Sequence, residues 1–466
     1  MSDALPPSSR LDRLSPERRA LLEKRLRGLA PAAGGAGGAG AARAAGMAAD
    51  PGAAGAAGIA VDAGAAGAAG AAHETGTVDA AGASRELAAE LRGGSGIGPI
   101  PAEVWTTLAA IGAREAERLA LAPDLVAEAG LEPRLDREAV AFVAAACRRL
   151  GVLLQAGEEV TVAGLLREHR LLPRYRKALR RWLDMLAEEG VLARQGEIYR
   201  TVRPLSEPLP QDALIDDARR DYYGENLVAV LTGKVHPLEF YLAGGSSKSV
   251  EEGYRELPIF RYCNGIASAL LAAQVAALPP GRRFRLLEVG AGTGGTTASL
   301  LPLLPPERTV YVFTDVSKFF TDLGEQKFGG FPFVRYRELD IERDPVAQGL
   351  PAGCCDWLVA AHVLHATRNV HETLVHVRRL LGPGGLLLLL EETRFQRKYH
   401  FSMGFLPGFD HFEDYGLRPA HPLLSAAQWC AALRAAGFAD AAAFTPAGSA
   451  AEVMGVDVLL ARAEGG

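Results

Sequence analysis

Arg285-Leu-Leu-Glu-Val-Gly-Ala-Gly-Thr-Gly-Gly-Thr-Thr-Ala-Ser-Leu300 decides how the chain is read. An apolar run ends in closely spaced glycines and a helix-compatible run follows, which spells strand, tight turn and helix N-terminus. At Gly290 and Gly292 the backbone has no side chain to hold a ligand away. Unpaired N–H groups at the start of the helix face the same ligand. Gly290, Gly292 and Gly295 satisfy the G-x-G-x-x-G spacing of dinucleotide sites. Glu288, just ahead of the first glycine, favours a different ligand, because a carboxylate repels a pyrophosphate and attracts a cation. S-adenosylmethionine, with its ammonium and sulfonium charges, meets that requirement better than NAD. The next apolar run, Val310-Tyr-Val-Phe-Thr-Asp315, closes on an acid suited to the two hydroxyls of a ribose, a feature both cofactors share.

Downstream of the turn, apolar runs alternate with helical spacing, the mark of a parallel sheet with crossover helices. Candidate strands are Phe284–Val289, Val310–Thr314, Val334–Glu338, Trp357–Ala361, Gly385–Glu391, Ala442–Thr445 and Asp457–Ala463. The last two lie close together after a helix over Ala426–Ala436, which predicts a terminal antiparallel hairpin. Leu386 to Leu390, the longest purely aliphatic run, reads as a strand buried on both faces. It is far short of the ~20 apolar residues a membrane-crossing helix needs.

Upstream, helical spacing over Leu108–Leu121, Arg137–Leu150, Val160–His169 and Arg174–Glu189 leads into a hairpin-like stretch, Gly190–Val202. That order is a winged-helix pattern, and Arg174, Arg176, Lys177, Arg180 and Arg181 make its long helix basic. Tyr175, Leu179, Trp182 and Leu186 form a core stripe on the same helix, leaving the cations on a solvated face. This argues against DNA binding and suits docking of an acidic protein. Pro204 to Pro258 mixes polar turns with apolar pieces, as a lid and substrate wall would. Pro31 to Gly82 is almost only Ala and Gly and cannot bury enough surface to order itself. Before it, Ser15, Pro16 and Gly28 punctuate a short basic helix. The expected divisions are a linker or docking helix over 1–30 and a disordered tether over 31–98. A helical lid and substrate domain follows over 99–270, then a cofactor-binding core over 271–466.

Composition narrows the classes. The 466 residues allow two or three domains, and 48% hydrophobic content supplies a full core. A net charge of −5 disfavours nucleic-acid binding by bulk charge. Five cysteines without C-x-x-C spacing, and the lack of a basic–apolar leader pattern, predict reduced thiols in a cytoplasmic protein. No ordered metal-ligand set stands out.

In order along the chain stand Leu-Glu-Val-Gly-Ala-Gly-Thr-Gly-Gly-Thr-Thr297, Phe-Thr-Asp-Val-Ser317, Phe-Val-Arg-Tyr-Arg337, Leu-Asp-Ile-Glu342, Val-Leu-His-Ala-Thr367, Leu-Gly-Pro-Gly-Gly385 and Pro-Leu-Leu-Ser425. From about residue 140 to residue 445 the chain resembles the C-methyltransferase domain of polyketide synthases. The resemblance implies an α/β fold of class I methyltransferase type, a Rossmann-like seven-stranded sheet, with a mostly helical, winged-helix-like lid domain ahead of it. It implies that Glu288, Gly290, Gly292, Asp315, Asp340 and Ile341 line an S-adenosylmethionine pocket, Asp340 meeting the adenine amino group. His365 and Glu391 fall on the family's catalytic pair, and Tyr254 near its active-site tyrosine. The first helix resembles linker helices that precede synthase modules.

The chain departs from the family in three places. His362 replaces an Asn and is counted with the cofactor-binding positions; Glu392 replaces a Gly; Gly408 to Asp414 replaces a Trp-rich segment. The expectation is a stand-alone enzyme that methylates the α-carbon of a carrier-bound β-ketoacyl thioester. Its partner is an acyl carrier protein or synthase module, and neither nucleic acid nor membrane. O-methylation of a hydroxyl or enol, and a non-catalytic carrier-docking role, are the alternatives. A Gln at 391 is expected to keep the ring in place and to lose only its charge stabilisation.

Overall fold

The computed structural model describes residues 80–92, 98, 100–237, 257–406 and 408–465. The linker helix expected over 1–30, most of the expected tether and Tyr254 lie outside them.

The described chain begins with helix α1 (Ala80–Arg92), inside the stretch expected to be disordered tether. Leu87 and Leu91 are buried there in the core on one side of the sheet. Glu90 pairs with Arg335 at 2.9 Å, and Arg285 Nη1 donates to Leu91 O at 3.0 Å. The tether expectation is corrected here: two leucines a helical turn apart are enough to dock an Ala-rich segment that has an apolar surface to meet.

Helices α2 (Ala102–Leu119), α3 (Pro123–Ala129) and α4 (Glu132–Leu150) follow. Next come β1 (Glu159–Val160), α5 (Val162–Glu168), α6 (Arg176–Glu188), β2 (Leu192–Gln195) and β3 (Ile198–Thr201). β2 and β3 form the expected hairpin, and β1 joins it in a three-stranded antiparallel sheet ordered β1-β3-β2. α7 (Asp217–Leu231) occupies part of the segment read as polar turns; Asp216 caps it by accepting from Arg219 N. α8 (Pro258–Ala276) leads into the main sheet.

That sheet contains β4 (Phe284–Val289), β5 (Thr309–Asp315), β6 (Val334–Glu338), β7 (Cys355–Ala361), β8 (Leu381–Glu392), β9 (Phe438–Ala443) and β10 (Val456–Ala463). Its order is β6-β5-β4-β7-β8-β10-β9, and all seven expected strands are present. β4 to β8 run parallel, while β10 is antiparallel to both neighbours, β8 and β9. Every residue of β5 is buried, as is Leu386 to Leu390, because helices cover both faces. The crossovers include α9 (Gly295–Leu300), α10 (Lys318–Phe328) and α11 (Val370–Leu380); α12 (Ala426–Ala435) and α13 (Ala450–Met454) flank β9.

Among the described residues three large apolar cores and one small cluster, around Tyr399, Phe409 and Leu423, result. α2, α3 and α8 share one with a face of the sheet. α1, α11 and α12 share another with the opposite face. α4 to α7 build a third around Phe142, Trp182, Leu186 and Tyr199. The chain leaving β8 reaches into this third core: Phe401 and Phe405 are buried in it, and Trp182 Nε1 donates to His400 O at 3.1 Å. The segment just beyond the C-terminal end of β8 is thereby anchored in the helical region. Among the described residues no helix is long and apolar enough to cross a membrane.

Candidate active site

Parallel β4, β5, β7 and β8 end on one edge of the sheet, where α/β folds place ligands. A cleft opens there, lined by the glycine turn and the ends of these strands. Phe260 and Asn264 of α8, Glu288, the Gly290–Thr296 turn and His362 are among the residues that line it. Gly290 has φ +61, and a Cβ there would lie 2.4 Å from Val363 Cγ2. This glycine is therefore required for the close approach of β4 to the loop after β7.

Of the expected cofactor residues, Glu288, Gly290, Gly292 and His362 come together around this cleft. Glu288 borders the cleft but is buried and anchored: its Oε2 accepts from Thr297 Oγ1 at 2.6 Å and from the Tyr311 hydroxyl. Burial lifts its carboxyl to about 7. Asp315 is not among the lining residues. Its oxygens accept from Gly292 N at 3.0 Å and Ser317 N at 2.9 Å, bracing the glycine turn, and burial lifts it to about 6. Asp340 and Ile341 stand beyond β6, Asp340 half-buried and accepting from Glu342 N at 3.0 Å, Ile341 buried in the core.

The chemistry of the lining fits a cationic, hydrogen-bond-donating ligand such as S-adenosylmethionine. Asn264 Oδ1 is buried on the wall without a hydrogen-bond partner among the described residues, which an incoming donor would satisfy. Glu288 supplies an anion whose raised pKa a bound cation would bring back down.

Beyond β7 the chain turns at His362, with φ +55, a region that costs a non-glycine residue about 1–3 kcal/mol. Its N–H donates to Leu390 O at 2.7 Å. A short 3₁₀ turn, Leu364–Ala366, then carries His365. Glu391, near the end of β8, holds that turn and its ring together. Oε1 accepts from Leu364 N at 2.8 Å and from His365 N at 3.3 Å, while Oε2 takes the Nδ1–H of His365. A carboxylate only accepts, so Nδ1 carries the proton and Nε2 is left as the basic nitrogen. Burial pushes the His365 ring down, but the Glu391 carboxylate outweighs it and lifts the ring above its ordinary value.

His365, Glu391 and Glu392 bring potential ligand atoms within 4.8 Å of one another. Spacing alone would suit a metal, but the Glu391 oxygens and His365 Nδ1 are already engaged with one another and with backbone N–H groups.

Sequence reasoning missed Arg418. Its side chain is fully buried and donates to His365 O at 2.6 Å, Thr367 O at 2.7 Å and Arg368 O at 3.1 Å, with Asp414 as its counter-ion at 2.5 Å. The Asp–Arg pair at i, i+4 was the available signal, within and just after the segment that departs from the family. The basic face of α6 also differs from its reading. Lys177 donates to Asp410 O at 2.8 Å and lies 3.6 Å from the Phe412 ring centre, and Arg181 grips Asp410. Both cations are thus spent inside the protein, which leaves Arg174 and Arg176 exposed.

A family model described as a methyltransferase domain matches residues 287–387. The polyketide synthase ThaG of Burkholderia thailandensis is 39% identical over 237 residues, half of this chain and 4% of that synthase. The structure of the CurJ carbon methyltransferase matches with a TM-score of 0.70 and 30% identity, over 78% of this chain and 98% of that one. The chain belongs to the C-methyltransferase domains of polyketide synthases. It is an S-adenosylmethionine-dependent methyltransferase of class I fold. A trans-methyltransferase, CalH, solved in complex with SAH, aligns at a TM-score of 0.52 and 26% identity, covering 72% of this methyltransferase and 91% of CalH. The methyltransferase spans a small fraction of the synthases it matches, so what those whole assemblies make is not carried over to it.

Proposed function

We propose that this methyltransferase C-methylates the α-carbon of a β-ketoacyl thioester presented by an acyl carrier protein or synthase module, with His365 as base and Glu391 orienting it. The observation that carries this reading is the Glu391 carboxylate, which holds both the turn and the ring of His365 and leaves Nε2 as proton acceptor. An α-carbon between a ketone and a thioester is acidic enough for an imidazole to deprotonate, and a base near neutral pKa is best matched to the task. Nε2 takes the proton, and Glu391 stabilises the imidazolium that forms. The enolate left behind is the nucleophile. S-adenosylmethionine supplies the methyl group as an electrophile, so the protein's share is to position and activate the acceptor. Glu288, Asn264 and the Gly290–Gly292 turn would hold the cofactor, with Asp315 bracing that turn from behind.

Mass spectrometry of carrier-bound β-ketoacyl and β-hydroxyacyl substrates, with fragmentation to place the new methyl, tests the proposal. Methyl on the α-carbon, lost in His365→Ala, is the expected result. Methyl on oxygen would replace it with O-methylation, and no transfer to any acyl carrier would leave a docking role.

A further inference from the structure

His362 and Glu392 make a second imidazole–carboxylate pair against the first. His362 Nδ1 lies 3.0 Å from Glu392 Oε2, and the same oxygen lies 3.6 Å from His365 Nδ1. The His362 and Glu392 side chains are both more than nine-tenths buried. Successive residues of a strand ordinarily point to opposite faces, yet at the end of β8 Glu391 and Glu392 both reach His365. One of the two rings, His362, lines the cofactor cleft. A single carboxylate therefore links the wall of the cleft to the base.

The charge balance of this cluster is unusual. Two carboxylates and two imidazoles are packed together, and buried anions are costly without a compensating positive charge. Burial pushes His362 down, but Glu392 outweighs it and lifts the ring above its ordinary value. Burial opposes ionisation of Glu392 too, yet His362 and His365 bring its carboxyl down to about 2. The groups facing His362 are Glu391 and Glu392 from β8, His365 from the 3₁₀ turn, Glu288 from β4 on the same cleft, and the Phe260 ring at 5.1 Å and Asn264 from α8.

We propose that His362 and Glu392 form a charge-compensating pair, which gives up a proton when the cationic cofactor binds and regains one when the methyl group is transferred. S-adenosylmethionine and S-adenosylhomocysteine share the ammonium and carboxylate; only the former carries a sulfonium charge. That sulfur has to approach the carbon deprotonated by His365, hence the side of the cleft that His362 lines; this step rests on the base assignment above. Loss of the His362 proton leaves Glu392 as an anion beside the incoming positive charge. On transfer, the carbanion pair of the acceptor forms the new C–C bond and the breaking C–S pair returns to sulfur. His365 releases the α-carbon proton from Nε2, its Nδ1–H remaining with Glu391, and the His362–Glu392 pair takes up a proton as the sulfonium charge is lost. One positive charge disappears from sulfur and one proton stays in the cluster, so the buried charge is the same before and after the reaction.

Isothermal titration calorimetry of the full chain, in buffers of different ionisation enthalpy, counts the protons released by each ligand. S-adenosylmethionine should release more than S-adenosylhomocysteine near neutral pH, by up to about one proton per site. His362→Asn should bind both ligands and abolish the difference. Equal release by the two ligands in the parent overturns the inference, and so does a difference that persists in His362→Asn, which would assign the proton to Glu288. Should that variant not fold, the parent alone decides. Its ratio of S-adenosylmethionine to S-adenosylhomocysteine affinity should climb with pH, by up to about tenfold per unit, and then level off once His362 is neutral. A flat ratio between about pH 5.5 and pH 9 overturns the proposal. Binding of neither ligand would overturn the cofactor assignment and this inference together; equal release strikes this inference alone.

Discussion

Glu391→Gln tests the dyad most directly, and the geometry makes it more damaging than the sequence suggests. The carboxylate accepts three bonds: Leu364 N at 2.8 Å and His365 N at 3.3 Å on one oxygen, the His365 ring on the other. An amide has one accepting oxygen and one donating nitrogen. If its oxygen stays with the two backbone N–H groups, its NH₂ faces Nδ1, which must then be unprotonated. The ring changes tautomer, Nε2 acquires the hydrogen, and the base is lost. If the amide flips, its NH₂ confronts two backbone donors and the turn that carries His365 loses its anchor. Either way the expected fall in turnover is about 10²–10⁴, the range for losing a general base and, at its upper end, for the comparable Asp→Asn change in serine-protease triads. That is about 3–5.5 kcal/mol of transition-state stabilisation. The acid limb of kcat/KM should move as well. Turnover needs the neutral ring and is lost as pH falls through the His365 pKa, which Glu391 raises; without that anion the limb shifts to lower pH. The assay is single-turnover methyl transfer across pH, with S-adenosylhomocysteine affinity as a control that should not change. A variant within about tenfold of the parent, with an unmoved acid limb, would refute the role given to Glu391.

Four further outcomes follow from features outside the dyad. Arg418→Met strips four carbonyls of a donor and leaves Asp414 partly buried without its counter-ion; the expected cost is about 3–5 kcal/mol, read as a lower urea midpoint, and an unchanged midpoint counts against it. Leu91→Ala should cost about 2 kcal/mol or more, because Leu91 is 1% exposed in the core beneath the sheet; a melting temperature equal to the parent's would mean that α1 contributes no packing. Reversing Arg174 and Arg176 together should raise KM for a carrier-bound substrate in a salt-sensitive way and spare a small thioester, because these cations are exposed. Lys177→Glu should instead lower stability on both substrates alike, since Lys177 is bonded to Asp410 O and Phe412 O.

Much of this architecture was legible because the central strands announce themselves. β5 and the Leu386–Leu390 run are buried on both faces, so their sequences are continuous apolar stretches that admit one reading. β9 was harder: Phe-Ala-Asp-Ala-Ala-Ala lies at the sheet edge with its middle half-exposed, and the expected strand began four residues late. α1 was hidden by composition, since an Ala-rich helix with two leucines looks like the Ala/Gly tract that precedes it until a surface for those leucines is known. The glycine turn was expected to let the backbone approach a ligand; the close approach seen at Gly290 is to Val363, which stands far along the chain.

The His362–Glu392 contact shows where reading the chain residue by residue stops. Each side chain alone is a departure from the family with no evident purpose, 30 positions from the other. β7 and β8 are adjacent and parallel, so the residue just past one strand and the last residue of the other meet at the same sheet edge. Strand alternation argues against Glu391 and Glu392 serving one site, yet both carboxylates reach His365. The same edge explains the left-handed backbone at His362. With its N–H donating to Leu390 O, the chain has to turn sharply to send His365 back toward Glu391, and the ring of His362 is left facing the cleft beside Glu392. The strain at that turn and the buried anion beside it are thus parts of one arrangement: the bend that brings His365 to Glu391 also sets a second titratable group on the wall of the cleft.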